Sequence, residues 1–309
     1  MDSYAFIINP AAGKGAGRRV VATLKAWLSR VKLDHELSLT EGPGHATEIA
    51  HNSRAHVVVA VGGDGTVNEV ANGLIGTGKT MGIMPTGSGN DLVRSIGISR
   101  NLERAFQTLL NGTRRIIDTG TVECPPANAT SNHRGNSKPR HFVNGVGVGF
   151  DAAVAERTHH IKYVTGTALY LVALFQTLWR YKSPQFTIQI DSSTTSSKKF
   201  LIAIGNGKCV GGGFYLTPDA VIDDGFLDIC CIDDLPILNI IGLIPEIMRA
   251  KHHDKRGITL LRGRSISISS PTEFSVHADG EMVGNNVQHV RVAIDKESLL
   301  VITDSRGKP

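Results

Sequence analysis

Through the first 120 residues, short runs of β-branched and other apolar residues alternate with stretches in which apolar positions recur every three or four residues. Residues 4–8 (Tyr-Ala-Phe-Ile-Ile) read as a buried strand. Val20, Leu24, Trp27, Leu28 and Val31 then fall on one face of a helix that packs on a sheet. A short strand over 36–40, a helix from His45 to about Asn52, a buried strand over 56–60 and a helix over 67–74 follow. A strand over 81–85, a helix through Leu92, Val93 and Arg94, and a strand over 114–123 complete this half. The alternation predicts an α/β N-terminal domain with a parallel sheet covered on both faces.

Beyond residue 140 the pattern changes to short strands bounded by polar residues and glycines, at 142–146, 185–191, 200–204, 225–232, 258–261, 265–269, 274–278 and 290–294. That pattern predicts a C-terminal antiparallel β-sandwich domain. Helical insertions are expected at about 152–181 and 236–252, and 192–199 reads as a flexible hairpin loop. Prolines, asparagines and glycines crowd 124–140, which reads as a mobile connection. The expected domains are 1–124 and 125–309, with the extreme C-terminus able to pack back on the first.

The chain has 309 residues, 41% hydrophobic and 20% charged, an ordinary balance for a globular protein with a sizeable core. The opening residues lack the basic start and cleavage site of a signal peptide, and no apolar run reaches membrane-spanning length. A cytoplasmic chain is expected. Its four cysteines show no ligand spacing and read as reduced thiols. The formal net charge of +5 favours anionic partners, but lysine and arginine form no basic stripe, so no nucleic-acid partner is expected. Residues 235–248 are apolar and amphipathic and are followed by Arg249, Lys251, His252, His253, Lys255 and Arg256. Two readings are open: a core helix with a solvated basic end, or a segment that attaches transiently to an anionic membrane surface.

Candidate chemistry begins at Gly62-Gly63-Asp64-Gly65-Thr66, on a turn between a buried strand and a helix. Glycines there let phosphate oxygens approach backbone N–H groups at the positive end of a helix, and Asp64 offers a carboxylate where a nucleotide-bound Mg²⁺ would lie. As a loop carboxylate, Asp64 is expected to serve the ligand and not the core. Gly73 to Thr80 matches the P-loop pattern letter for letter, but it follows a helix and opens a strand. That order makes it a helix stop.

Asn9-Pro10 with Gly13, the Gly62 to Glu69 run, and Pro85-Thr86-Gly87-Ser88-Gly89-Asn90-Asp91 occur in order. So do Asn144-Gly145-Val146-Gly147-Val148-Gly149-Phe150-Asp151-Ala152, Gly211-Gly212-Gly213-Phe214, Asp223-Asp224-Gly225 and Asp279-Gly280-Glu281. Together they resemble the diacylglycerol kinase catalytic family, in particular its soluble bacterial lipid kinases, which are similar to sphingosine and ceramide kinases. The resemblance implies the NAD-kinase/diacylglycerol-kinase type of fold, with ATP bound between the two domains and the lipid site on the second. It places the nucleotide at Asn9, Pro10, Ala11, Ala12, Gly13, Thr40, Gly63, Asp64, Gly65, Thr66, Val67, Asn68, Glu69 and Ser88. Ser88 stands where the family usually has threonine and keeps the hydroxyl. A structural Mg²⁺ would fall on the backbone of Val221 and Phe226 and the side chain of Asp224; a plain Asp-Gly turn is the other reading there. Glu281 would be the general base, with Asp279 orienting it or its water network, unless this too is only a hairpin turn.

The implied activity is ATP- and Mg²⁺-dependent phosphorylation of a lipid primary hydroxyl, diacylglycerol first, by an enzyme peripheral at the inner membrane surface. Other lipids (sphingoid bases, ceramide, phosphatidylglycerol), a soluble substrate as in NAD kinases, and a non-catalytic lipid-binding protein stay open. So does the oligomeric state, a homodimer included.

Overall fold

A computed structural model of the chain describes residues 2–125, 139–158, 161 and 166–304. It divides into two compact units, one made of Met1–Ile117 and Glu297–Pro309, the other of Asp118–Lys296. Most of the connection expected at 124–140 lies outside the described residues, as does part of the 152–181 insertion.

In the first unit, strands and helices alternate as β1 (Ser3–Ile8), α1 (Ala12–Leu28), β2 (Asp34–Leu39), α2 (His45–Asn52), β3 (Val57–Gly62), α3 (Asp64–Leu74), β4 (Thr80–Pro85), α4 (Asp91–Ser95) and α5 (Leu102–Asn111). The strands are parallel in the order β2-β1-β3-β4. Every residue of β3 is buried, as a central strand covered on both faces requires. Phe6, Ile8, Leu24, Leu28, Val59, Met84, Phe106 and Ile302 share one core. A Cβ on Gly73 of α3 would lie 2.5 Å from the Thr47 carbonyl oxygen, so glycine lets α2 and α3 cross closely. Helix α5 is absent from the sequence-based expectations, although Phe106 and Leu109 are buried on it and Asn101 caps it by accepting the Arg104 N–H. The run from Gly73 to Thr80 is the end of α3, a turn with Gly76 and Gly78 at positive φ, and the start of β4.

The chain leaves the first unit within β5 (Thr113–Glu123). The second unit then contains β6 (Arg140–Phe142), β7 (Gly145–Gly149), α6 (Phe150–Thr158), α7 (Gly166–Leu178), β8 (Gln185–Ile190), β9 (Ser193–Gly205), β10 (Leu227–Asp233), α8 (Ile237–Met248), β11 (Ile258–Gly263) and β12 (Ser265–Ala278). It ends in β13 (Glu281–Thr303), whose last residues return to the first unit and pair in parallel with β4 at Leu300 and Val301. The expected division at 124–125 differs from these limits because β5 and β13 are single strands running through both units.

The second unit is an antiparallel β-sandwich. Its long strands β9 and β12 each serve both layers: β8 pairs with the first part of each, and β7 with the last part of each. Pairing of this kind closes the layers around Phe142, Val148, Phe186, Ile188, Ile202, Ile268, Val276 and Val292. Alternation along β9 sends Ile202 and Ile204 inward and Leu201 and Ala203 to the opposite face, where α6, α7 and α8 cover them. The 192–199 stretch expected as a flexible loop is mostly strand, because Ser193 to Lys198 pair with β8. Polar threonines and serines there hid a strand whose side chains face solvent. Cys209, Cys230 and Cys231 are buried free thiols, and Cys124 is half-buried.

Candidate active site

In the first unit, the three glycine-rich turns lie side by side at the carboxyl ends of β1, β3 and β4, where open parallel sheets place their ligands. Asn9 donates its backbone N–H to the Val61 carbonyl (3.0 Å) and its side-chain amide to Thr66 Oγ1 (3.0 Å), while its Oδ1 accepts the Ala11 N–H (3.0 Å). Pro10, Ala12 and Gly13 are half-buried and Ala11 is exposed. Gly13 has φ +56°, and a Cβ there would sit 2.2 Å from the Thr86 carbonyl oxygen. A Cβ on Gly87 would lie 2.3 Å from the Gly63 Cα, so two of the turns touch backbone to backbone. Gly63 is the N-cap of α3 and supplies no side-chain cap, and Gly65 occupies its first turn.

Several predicted nucleotide residues prove to be fasteners. Asp64 accepts the Asn90 N–H on Oδ2 (2.8 Å) and the Asp91 N–H on Oδ1 (2.6 Å), binding the second glycine turn to the third. The expectation that it serves only a ligand is therefore corrected: both oxygens hold the fold. Glu69 accepts the Gly44 N–H (2.9 Å) and the Ala46 N–H (3.1 Å), which anchors the start of α2. Val67 and Asn68 are buried in α3, and Asn68 accepts hydrogen bonds from the Asn72 amide. Thr40 is buried and its N–H reaches the Ile8 carbonyl (2.9 Å). Ser88 is exposed at the tip of its turn, with Arg100 donating to its carbonyl (3.1 Å).

In the second unit, Asp279 has φ +50° and accepts three backbone N–H groups, from Val143 (2.8 Å), Asn144 (2.9 Å) and Gly145 (2.8 Å). Its own N–H donates to the Gly145 carbonyl (2.9 Å). The carboxylate thus clamps the turn between β12 and β13 onto the start of β7. Glu281, the first residue of β13, projects an exposed side chain from that turn. Three further groups hold the turn from behind. His277 Nδ1 accepts the Gly280 N–H (3.2 Å), His277 Nε2 meets Asp151 Oδ2 (3.0 Å), and the Tyr170 hydroxyl donates to Asp151 Oδ1. Burial pushes the Asp151 carboxyl up, but the His277 ring and the Tyr170 hydroxyl outweigh it and hold the group below the usual carboxylate range.

Asp118 and Asn206, neither singled out from the sequence, complete the polar framework. The Asn206 amide donates to the carbonyls of Asp118 (2.8 Å) and Val143 (2.9 Å), and Asp118 Oδ2 accepts the Gly225 N–H (2.7 Å). A lone carboxylate inside the apolar run Ile116-Ile117-Asp118 was the signal for the first; nothing local marked the second.

Asp224 does not present an open carboxylate. Its Oδ1 accepts the Phe226 N–H (3.0 Å), and its Oδ2 pairs with Arg262, whose guanidinium lies 4.8 Å over the Phe226 ring. Among the described residues no group of three or more His, Cys, Asp or Glu is arranged to hold a metal. With an arginine supplying the positive charge, Val221, Asp224 and Phe226 do not fit a directly bound divalent cation in this arrangement.

Phe150, Leu174, Phe214, Leu216, Leu243 and Ile247 line an apolar cavity under α6, α7 and α8, with Asp151 and Tyr170 as its polar lining. Helix α8 buries Ile240, Leu243 and Ile247 but leaves Leu238 79% exposed, and Trp179 after α7 is 68% exposed. The basic stretch after α8 is less charged than its composition implies. His252 is buried and its pKa lowered by that burial, His253 pairs with Asp219 (2.7 Å), and Lys255 pairs with Glu246 (2.9 Å). Among the described residues no helix is long and apolar enough to cross a membrane.

Residues 3–122 match the diacylglycerol kinase catalytic domain, and residues 144–302 match the YegS C-terminal NAD kinase beta sandwich-like domain. A protein of Staphylococcus saprophyticus named diacylglycerol kinase is 26% identical over 299 residues, covering 93% of this chain and 93% of its own. One of Bacillus subtilis with the same name is 24% identical and covers 98% of this chain and 100% of its own. A crystal structure of a diacylglycerol kinase from Bacillus anthracis superposes with a TM-score of 0.70 at 21% identity, over 98% of this chain and 97% of that one. The NAD kinase of Archaeoglobus fulgidus in complex with ATP superposes with a TM-score of 0.51 at 13% identity, over 98% and 94%. With both of its parts matched in order, this chain belongs to the diacylglycerol kinase family, the N-terminal α/β domain being its catalytic domain and the C-terminal sandwich its YegS-type partner.

Proposed function

We propose that this chain transfers the γ-phosphoryl group of ATP to a primary hydroxyl of a lipid, with diacylglycerol the first substrate to test and phosphatidic acid its product. The observation that carries the lipid reading is the match of residues 3–122 to the diacylglycerol kinase catalytic domain. The apolar cavity lined by Phe150, Leu174, Phe214, Leu216, Leu243 and Ile247 is small, about 40 Å³, and would have to open to take an acyl chain. The glycine turns of the first unit receive the phosphates of ATP. They can do so because the first N–H groups of α3 have no side-chain cap, and because Gly13, Gly63 and Gly87 let the turns pack backbone against backbone around that helix start. Asn9, Thr66 and Asp64 fix the relative placement of these turns, while Ser88 offers a hydroxyl at the rim.

Charge neutralisation at the phosphates would be supplied by Mg²⁺ entering with ATP, and no carboxylate of this chain is assigned to hold it. Glu281 accepts the proton of the lipid hydroxyl as that oxygen bonds to the γ-phosphorus and the bond to the bridging oxygen breaks, releasing ADP. In this scheme Asp279 holds the turn that carries Glu281. Transient attachment to an anionic membrane, aided by exposed Leu238 and Trp179, brings the enzyme to its lipid.

Radiolabelled ATP supplied with diacylglycerol, monoacylglycerol, ceramide, sphingosine or phosphatidylglycerol in mixed micelles tests the proposal. Label in phosphatidic acid is expected. With NAD supplied as a parallel acceptor, label in NAD but in no lipid would support a soluble substrate, and no turnover with any acceptor would leave a lipid-binding protein.

A further inference from the structure

We propose that His277 is a positioning residue for the phosphoryl-transfer base, acting through the backbone of Gly280. The inference rests on the kinase reading above and on Glu281 as the base. His277 Nδ1 accepts the Gly280 N–H (3.2 Å), so this nitrogen carries a lone pair and the proton sits on Nε2, which donates to Asp151 Oδ2 (3.0 Å). The ring is buried, and Asp151 is buried beside it and accepts a further hydrogen bond from Tyr170. Asp151 therefore fixes both the tautomer and the orientation of the ring.

The neighbouring backbone is shaped around this pair. A Cβ on Gly147 would lie 2.2 Å from His277 Nε2 and 2.3 Å from Asp151 Oδ2, so only glycine lets the two side chains meet there. On the other side of the turn, Asp279 has φ +50°, a conformation that needs support from its surroundings, while Gly280 takes φ +85° freely and so leaves the turn's second half to be held by its N–H contact. Asp279 secures the first half of the turn through the N–H groups of residues 143–145, and His277 secures the second half, from which Glu281 projects. A base that must meet a substrate hydroxyl within hydrogen-bond reach depends on that second anchor.

Two substitutions separate positioning from mere stability. His277→Asn keeps an oxygen near the place of Nδ1 and can still accept the Gly280 N–H, but it no longer reaches Asp151. His277→Gln keeps an amide near Nε2 for Asp151 and leaves the Gly280 N–H without its acceptor. Losing the buried Asp151 contact lowers the melting temperature more in His277→Asn than in His277→Gln. The kcat order is the reverse. His277→Gln loses about tenfold or more while the KM for ATP stays near wild type, and His277→Asn stays within about threefold. Hydrogen exchange on the wild-type protein, with no substitution, should show a protected Gly280 amide.

A folded His277→Gln enzyme with wild-type kcat, kcat values that follow the melting temperatures, or an unprotected Gly280 amide would each overturn the proposal. If wild type phosphorylates no acceptor, the kinase reading has failed instead, and the Gly280 exchange result stands apart from it.

Discussion

Asp64, in the first turn of α3, accepts the backbone N–H of Asn90 at 2.8 Å, and so joins two glycine-rich turns that are 26 residues apart in sequence. Its other oxygen takes the Asp91 N–H. Asp64→Ala should accordingly impair ATP use and also destabilise the fold by about 1–3 kcal/mol, since two N–H groups lose their acceptor. Turnover and thermal melting measured on the same preparation check this; a variant with lost turnover and an unchanged melt would return Asp64 to a purely ligand-binding role.

Gly87 tests the contact between those turns. Gly87→Ala places a Cβ 2.3 Å from the Gly63 Cα and 2.9 Å from Asn90 Oδ1, which forces backbone apart. A several-fold rise in the KM for ATP is expected. Gly42→Ala, with nothing within 4 Å of the added carbon, is the control and should leave ATP kinetics near wild type.

Glu281→Gln keeps the side chain's shape and removes its basicity. General base catalysis is worth roughly 10²-fold or more, so kcat should fall by that factor with ATP affinity nearly unchanged. A kcat within a few-fold of wild type would remove Glu281 from the proton transfer and make another acceptor necessary.

Asp228 predicts a pH dependence of stability. Burial pushes its carboxyl up to about 6; Arg262 opposes the rise, and the charges of Asp224 and Asp219 add to it. Between about pH 4 and 6 the folded state holds a proton that the unfolded state has released, so this group's contribution to stability falls as pH rises through that window and is level above it. Asp228→Asn should remove the effect. The gap between wild type and variant, followed by denaturant unfolding from pH 4 to 7, should change by up to about 3 kcal/mol.

Membrane attachment is tested by flotation with liposomes. Binding should increase with anionic lipid and weaken at high salt, and Leu238→Ser with Trp179→Ser should reduce it several-fold. Equal flotation with neutral and anionic vesicles would count against an electrostatic surface.

The sequence by itself determined the class of each half, because burial on both faces of β3 and the period-two alternation of β8, where Phe186 and Ile188 turn inward between polar residues, are written directly in their side chains. It also marked the glycine turns, whose spacing survives in any fold that brings their strands together. It did not distinguish ligand-facing from fold-fastening residues: Asp64, Glu69 and Asp279 look alike as acids in or beside the glycine-bearing turns until their N–H partners appear. Those partners lie up to 136 residues away in the chain, as Val143 does from Asp279. The same holds for the pairing of Asp151 with His277, separated by 126 residues, and for Arg262 on Asp224, separated by 38. Only tertiary structure decided those roles, because a carboxylate's function is set by which donors the folded backbone delivers to it, and local pattern carries no record of donors delivered from distant strands.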